Sequence, residues 1–112
     1  MLRTKRRKPS PLRVILATAP EREAEGLARR LLEERLIACA NLLPGVTSLY
    51  WWKKKLHRDA ETVIVMKTPA RNVAKLLKRL KALHSYDVPE FLALPVREAS
   101  PEYVTWANDE AS

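Results

Sequence analysis

From residue 36 to residue 52 the chain offers a long strand-like run, apolar and nearly continuous over 36–43, that extends further than a 112-residue domain needs. Ile37, Val46, Thr47, Tyr50, Trp51 and Trp52 favour extended structure. Pro44-Gly45 interrupts the run either as a turn or as a bend within one long strand. Side chains alternate across a strand, so Ser48, Tyr50 and Trp52 share one face and Thr47, Leu49 and Trp51 the other. Bulky groups on both faces of an unpaired extension invite association with another chain. The outer part of this run is therefore expected to be a subunit-contact element.

The flanking segments supply a sheet for its inner half. Val14-Ile15-Leu16-Ala17 is short and β-branched, as a buried strand requires. Pro20, Glu21 and Glu23 then suit a helix start, where proline fits the first turn and acids oppose the dipole. Ala24, Leu27, Ala28, Leu31 and Leu32 form one apolar stripe at helical spacing. Gly26 within that helix predicts a close approach by a strand. Residues 53–59 are charged and predict a hairpin tip, followed by a third strand over 61–67. Thr68-Pro69 matches a helix cap, and Val73, Leu76, Leu77, Leu80 and Leu83 give a second stripe. Residues 91–96 predict a fourth strand with Pro95 near an edge. Ser100-Pro101-Glu102 opens a short last helix, with Tyr103, Val104 and Trp106 expected to dock it. The order strand, helix, strand, strand, helix, strand defines an α+β fold, a ferredoxin-like α/β sandwich (βαββαβ) with an antiparallel sheet, an extended hairpin and a short C-terminal helix.

Composition narrows the function. The formal charge is +8, yet six of the 21 basic residues lie within the first thirteen, leaving 15 against 13 acids, a net +2 for the body. Residues 1–12 are thus expected to be a basic, disordered tail ahead of a domain over 13–112, with only non-specific attraction to nucleic acid. Base stacking on the sheet would need aromatics on the central strands, which are aliphatic. Cys39 has no disulfide partner, which fits a reducing, cytoplasmic setting. No apolar run approaches the roughly 20 residues of a bilayer span. With only two glycines there is no phosphate-cradling loop, and no nucleophile-base motif marks an enzyme.

The densest chemistry lies in His84-Ser85-Tyr86-Asp87-Val88-Pro89-Glu90: an imidazole, a phenol and two carboxylates between the second helix and the fourth strand. Such a set can exchange a proton or bind a metal, and it can equally cap the two elements. Together with residues 38–52, Lys67-Thr68, Leu94-Pro95-Val96 and Tyr103-Val104-Thr105-Trp106, this stretch resembles the CutA family of divalent-cation tolerance proteins. The resemblance covers residues 13 to about 109. It implies a non-enzymatic, cytoplasmic homotrimer of ferredoxin-like subunits interlocked by long hairpins, similar in architecture to PII-type signalling proteins.

Carried over by position, the family's intersubunit cleft would be lined by Trp52, Lys67, His84, Tyr86 and Glu90. Two positions depart from the family pattern: Ser85 replaces a proline, and Lys54 stands where the hairpin carries glycine. In copper-binding members a cysteine and two adjacent histidines act as ligands, and the matching positions here are Ala17, Leu83 and His84. Copper favours imidazole and thiolate donors, so the resemblance implies weak binding of a divalent metal such as copper, centred on His84. The alternative function is a PII-like module that holds a small anion through Lys67 at subunit boundaries.

Overall fold

The computed structural model describes residues 8–112, so residues 1–7 of the expected basic tail lie outside the described residues. The first strand, β1 (Leu12–Ala19), leads into helix α1 (Glu21–Glu33). A long hairpin follows, β2 (Cys39–Trp52) and β3 (Lys55–Pro69). A 3₁₀ turn (Ala70–Asn72) then opens helix α2 (Val73–Leu83), and β4 (Leu92–Pro95) and helix α3 (Pro101–Glu110) complete the chain. The strands pair in the order β2-β3-β1-β4, every pair antiparallel. This is the ferredoxin-like α/β sandwich that the element order implies.

Alternation sets the two faces of the sheet. Ile15, Ala17, Ile64 and Met66 point to the helices and are wholly buried with Leu31 of α1 and Leu76 and Leu80 of α2. Each large aliphatic in that set contributes roughly 1.5–3 kcal/mol by leaving water. Arg79 of α2 also clasps Glu34, at the end of α1, through Nε and Nη2 at 2.8 and 2.9 Å. That pair draws the carboxyl of Glu34 below its ordinary range.

Several local expectations change. Ser10 belongs to the folded body rather than to the tail: its amide donates to Asn108 Oδ1 at 2.8 Å, its carbonyl accepts from Asn108 Nδ2 at 3.0 Å, and its hydroxyl accepts the Arg71 amide. β1 starts at Leu12, paired with Pro69, one residue before the expected boundary. Thr68 does not cap a helix; Pro69 stands at the N-cap of the 3₁₀ turn, with no side-chain capping bond there. Pro69 ends β3, and the Thr68 hydroxyl donates to the Leu36 carbonyl at 2.7 Å. Gly26 meets no strand, because a Cβ there would find nothing within 4 Å. Helix α3 docks through buried Ala107 and Asn108 near its C-terminus, while Tyr103 and Trp106 remain exposed.

The hairpin gives the molecule its 62 Å long axis. Pro44-Gly45 is a bend, not a turn: the β2–β3 register shifts between Leu43 and Val46, and Gly45 takes φ +73°. A residue in the left-handed region at such a bulge is best a glycine. The tip is only Lys53-Lys54, both at positive φ, between the paired Trp52 and Lys55. That is the twist-matched two-residue turn, here without the usual Asn or Gly. Residues 55–59, expected to be connection, are strand. Leu49, Trp51 and Leu56 beyond the bulge are 65–72% exposed in the single chain.

Candidate functional site

A cleft of about 720 Å³ opens between the outer part of β2 and the loop that follows α2. Tyr50, Trp51 and Trp52 form one wall, Tyr86 and Pro89 the other, and Thr18 and Glu61 also line it. Among the described residues, the charged groups lining the cleft are Glu61, Asp87 and Glu90, all acidic.

His84 begins that loop as the C-cap of α2, its amide donating to the Leu80 carbonyl at 2.9 Å. Its ring turns toward β1, with Nε2 2.8 Å from the carbonyl oxygen of Thr18. A carbonyl only accepts, so Nε2 carries the proton. Nδ1 lies 3.0 Å from the amide nitrogen of Tyr86, which only donates, so Nδ1 presents its lone pair there. Both nitrogens of the imidazole are occupied.

Tyr86 continues the chain of contacts. Its ring sits 4.7 Å from that of His84, and its hydroxyl donates to Glu61 Oε2 at 2.8 Å. Glu61 is 5% exposed, so the phenol supplies a bond that the buried carboxylate needs. Burial first, and then the Glu61 carboxylate, push the Tyr86 phenol far above its ordinary range. It therefore stays a donor at neutral pH. Further out, the Tyr50 hydroxyl donates to Asp59 across the hairpin, and the Tyr50 ring stacks on His57 with centroids 5.4 Å apart.

Of the five expected site residues, Trp52, Tyr86 and Glu90 line this cleft, and His84 supports it from behind. Lys67 is elsewhere. Six residues along β3 from Glu61, it lies about 20 Å away at the rise of a strand. Its ammonium donates to Asn41 Oδ1 and sits 3.9 Å from Cys39 Sγ. Within one chain Lys67 therefore does not join the cleft. Glu61, Tyr50 and Asp59 were not anticipated, and a carboxylate opening an apolar strand carries no signal that sets it apart from an ordinary strand end.

The expected metal centre at His84 does not fit the donors present. Ala17 is wholly buried in the core and Leu83 packs against it, so neither position offers a ligand. His84 has no free lone pair while its two backbone bonds stand. Among the described residues, no three His, Cys, Asp or Glu side chains converge on a point that could hold a metal ion.

Fold and site together define a ferredoxin-like α+β sandwich whose overlong hairpin and post-α2 loop wall a cleft of ligand size. Within that class, the chain belongs to the CutA1 divalent ion tolerance protein family, whose sequence profile matches residues 13–110. The divalent-cation tolerance protein CutA of Thermus thermophilus is 44% identical over 97 residues, spanning 86% of this chain and 94% of that protein. Among solved structures, CutA from Xylella fastidiosa superposes with a TM-score of 0.88 at 40% identity, covering 92% of this chain and all of the other. The PII-like protein CutA from Nostoc, in apo form, gives 0.85 at 33% identity, covering 89% and 97%.

Proposed function

We propose that this divalent-cation tolerance protein works as a homotrimeric, cytoplasmic binding protein without a catalytic step, and that its cleft takes a cationic ligand. The observation that carries this reading is the charge of the lining: three carboxylates, Glu61, Asp87 and Glu90, beside aromatic walls, with no Lys or Arg among the described residues that line it. Aromatic faces and carboxylates both favour a cation. Because these carboxylates do not converge on one point, a divalent cation would be held here with most of its water shell, which suits magnesium or manganese better than copper, an ion that prefers direct imidazole and thiolate donors. The small-anion alternative needs Lys67, which could reach the cleft only from a neighbouring copy. The trimer is supported by Leu49, Trp51 and Leu56, whose exposed apolar faces on the outer hairpin suit burial by a second chain. The free thiol of Cys39 supports a reducing compartment.

The test combines mass and binding. Light scattering after size exclusion should return three times the chain mass of 12.8 kDa. Titration with Mn²⁺ or Mg²⁺ should quench or shift tryptophan fluorescence, and Asp87→Asn with Glu90→Gln should weaken that response at least tenfold. Saturation by inorganic phosphate, with no response to either cation, would replace the cationic reading with the anionic one.

A further inference from the structure

The metal-tolerance chemistry of the family makes a histidine beside the cleft an obvious candidate ligand, yet its surroundings assign it different work. From the two fixed-polarity contacts we infer that His84 is a positioning residue: a neutral imidazole, protonated on Nε2, that clamps the start of the cleft loop to the end of β1. The clamp itself is independent of what occupies the cleft; its importance for binding rests on the cleft reading above.

Three features support this. The partners are backbone groups, so neither can swap donor for acceptor: the Thr18 carbonyl takes a proton from Nε2, and the Tyr86 amide gives one to Nδ1. The contacts tie elements distant in sequence, since Thr18 and His84 are 66 positions apart. The loop residue held by Nδ1 is also the one whose hydroxyl reaches the buried Glu61, so one imidazole fixes both the backbone and the reach of Tyr86. A metal at Nδ1 would leave the part-buried Tyr86 amide without an acceptor. A metal at Nε2 would leave Thr18 without this donor and require the proton to move to Nδ1, against that amide. Either substitution breaks the clamp.

The experiment uses the full chain, labelled with ¹⁵N, at a pH where imidazole is neutral. Long-range proton–nitrogen correlation should show His84 as a single Nε2–H tautomer, with one protonated and one bare ring nitrogen. The chain has only two histidines, so a His57→Gln variant assigns the signals. Zn²⁺ alone, added to stoichiometry, should leave the His84 nitrogens unmoved. Amide exchange then tests the clamp: Tyr86 should exchange about tenfold faster in His84→Ala. His84→Asn, whose side-chain oxygen can take the place of Nδ1, should restore most of the protection. An Nδ1–H or averaged tautomer would overturn the inference, as would a large Zn²⁺-induced shift of a His84 nitrogen or unchanged Tyr86 exchange in His84→Ala. The tautomer and zinc measurements on the otherwise intact chain decide the matter even if His84→Ala does not fold. A cleft that binds no cation leaves these signatures in place, so the two readings fail separately.

Discussion

Tyr86→Phe isolates the contact that joins the cleft loop to the sheet. The substitution removes one oxygen and keeps the ring, so its packing at 4.7 Å from His84 persists and the cavity contribution is small. What changes is Glu61, a carboxylate 5% exposed that loses its 2.8 Å donor. A hydrogen bond to a charged group contributes about 1.5–3 kcal/mol, and stranding a buried acceptor costs a similar amount. Glu61 lines the open cleft and keeps 5% of its surface exposed, so the expected loss is near the middle of that range, about 2 kcal/mol. Glu61→Gln leaves an oxygen that can still accept from the phenol and should cost less, about 1 kcal/mol. If the pair acts as a unit, the double variant should be less destabilised than the two single losses added, with a coupling of about 1 kcal/mol or more. Urea denaturation followed by tryptophan fluorescence measures this, at one fixed protein concentration so that any association between chains contributes equally to every variant. Tyr86→Phe within about 0.5 kcal/mol of wild type, or a coupling near zero, would refute the claim that this bond holds the loop.

Three further predictions follow from local geometry. The phenol of Tyr86 ionises above the free value of 10.0, so its contribution to stability is complete below about pH 10 and is lost as the pH rises beyond it, when the unfolded chain deprotonates first; urea midpoints should fall on that side, less steeply in Tyr86→Phe, and equal slopes would refute the assignment. Lys54→Gly should stabilise the hairpin by about 1 kcal/mol, because Lys54 sits at φ +65° where a β-carbon is strained; a lowered thermal midpoint would show that the lysine side chain matters more than its backbone. Gly26→Ala should raise stability by up to about 1 kcal/mol, since the position is exposed in a helix and an added Cβ meets nothing within 4 Å; calorimetry should show a higher midpoint, and a lower one would mean that the site is covered in the assembled protein.

The parts of the fold that were legible are those decided by neighbours in sequence. The stripes of α1 and α2 and the apolar run of β1 encode their own geometry, because each has one face to bury. The outer hairpin has no core of its own to bury against, so residues 55–59 are mostly charged and resemble a loop although they pair with Ser48 to Trp52. Thr68 shows the same limit at a single side chain. A hydroxyl before a proline can cap a helix, but it can also bond any carbonyl that tertiary structure brings near, and here Leu36 wins. At α3 the large aromatics suggested docking, whereas the interface uses Ala107, which permits close approach, and Asn108, whose amide joins Ser10, Val104 and Arg71.

The cleft separates residue type from residue role in the same way. An imidazole binds a metal only through a free lone pair, and whether His84 has one depends on backbone groups at Thr18 and Tyr86 that no local pattern specifies. The charge of the cleft has a similar origin. Lys67 and Glu90 belong to the same family motif set, but antiparallel pairing places Lys67 opposite Cys39 and Val14, at the far end of β3 from Glu61. Separating them leaves, among the described residues that line the cleft of one chain, carboxylates as the charged groups. An anion held in this cleft through Lys67 would need a second chain to supply that lysine, so its binding should weaken on dilution, whereas a cation attracted by Asp87 and Glu90 of one loop should bind independently of protein concentration; equal concentration dependence for the two would refute this distinction.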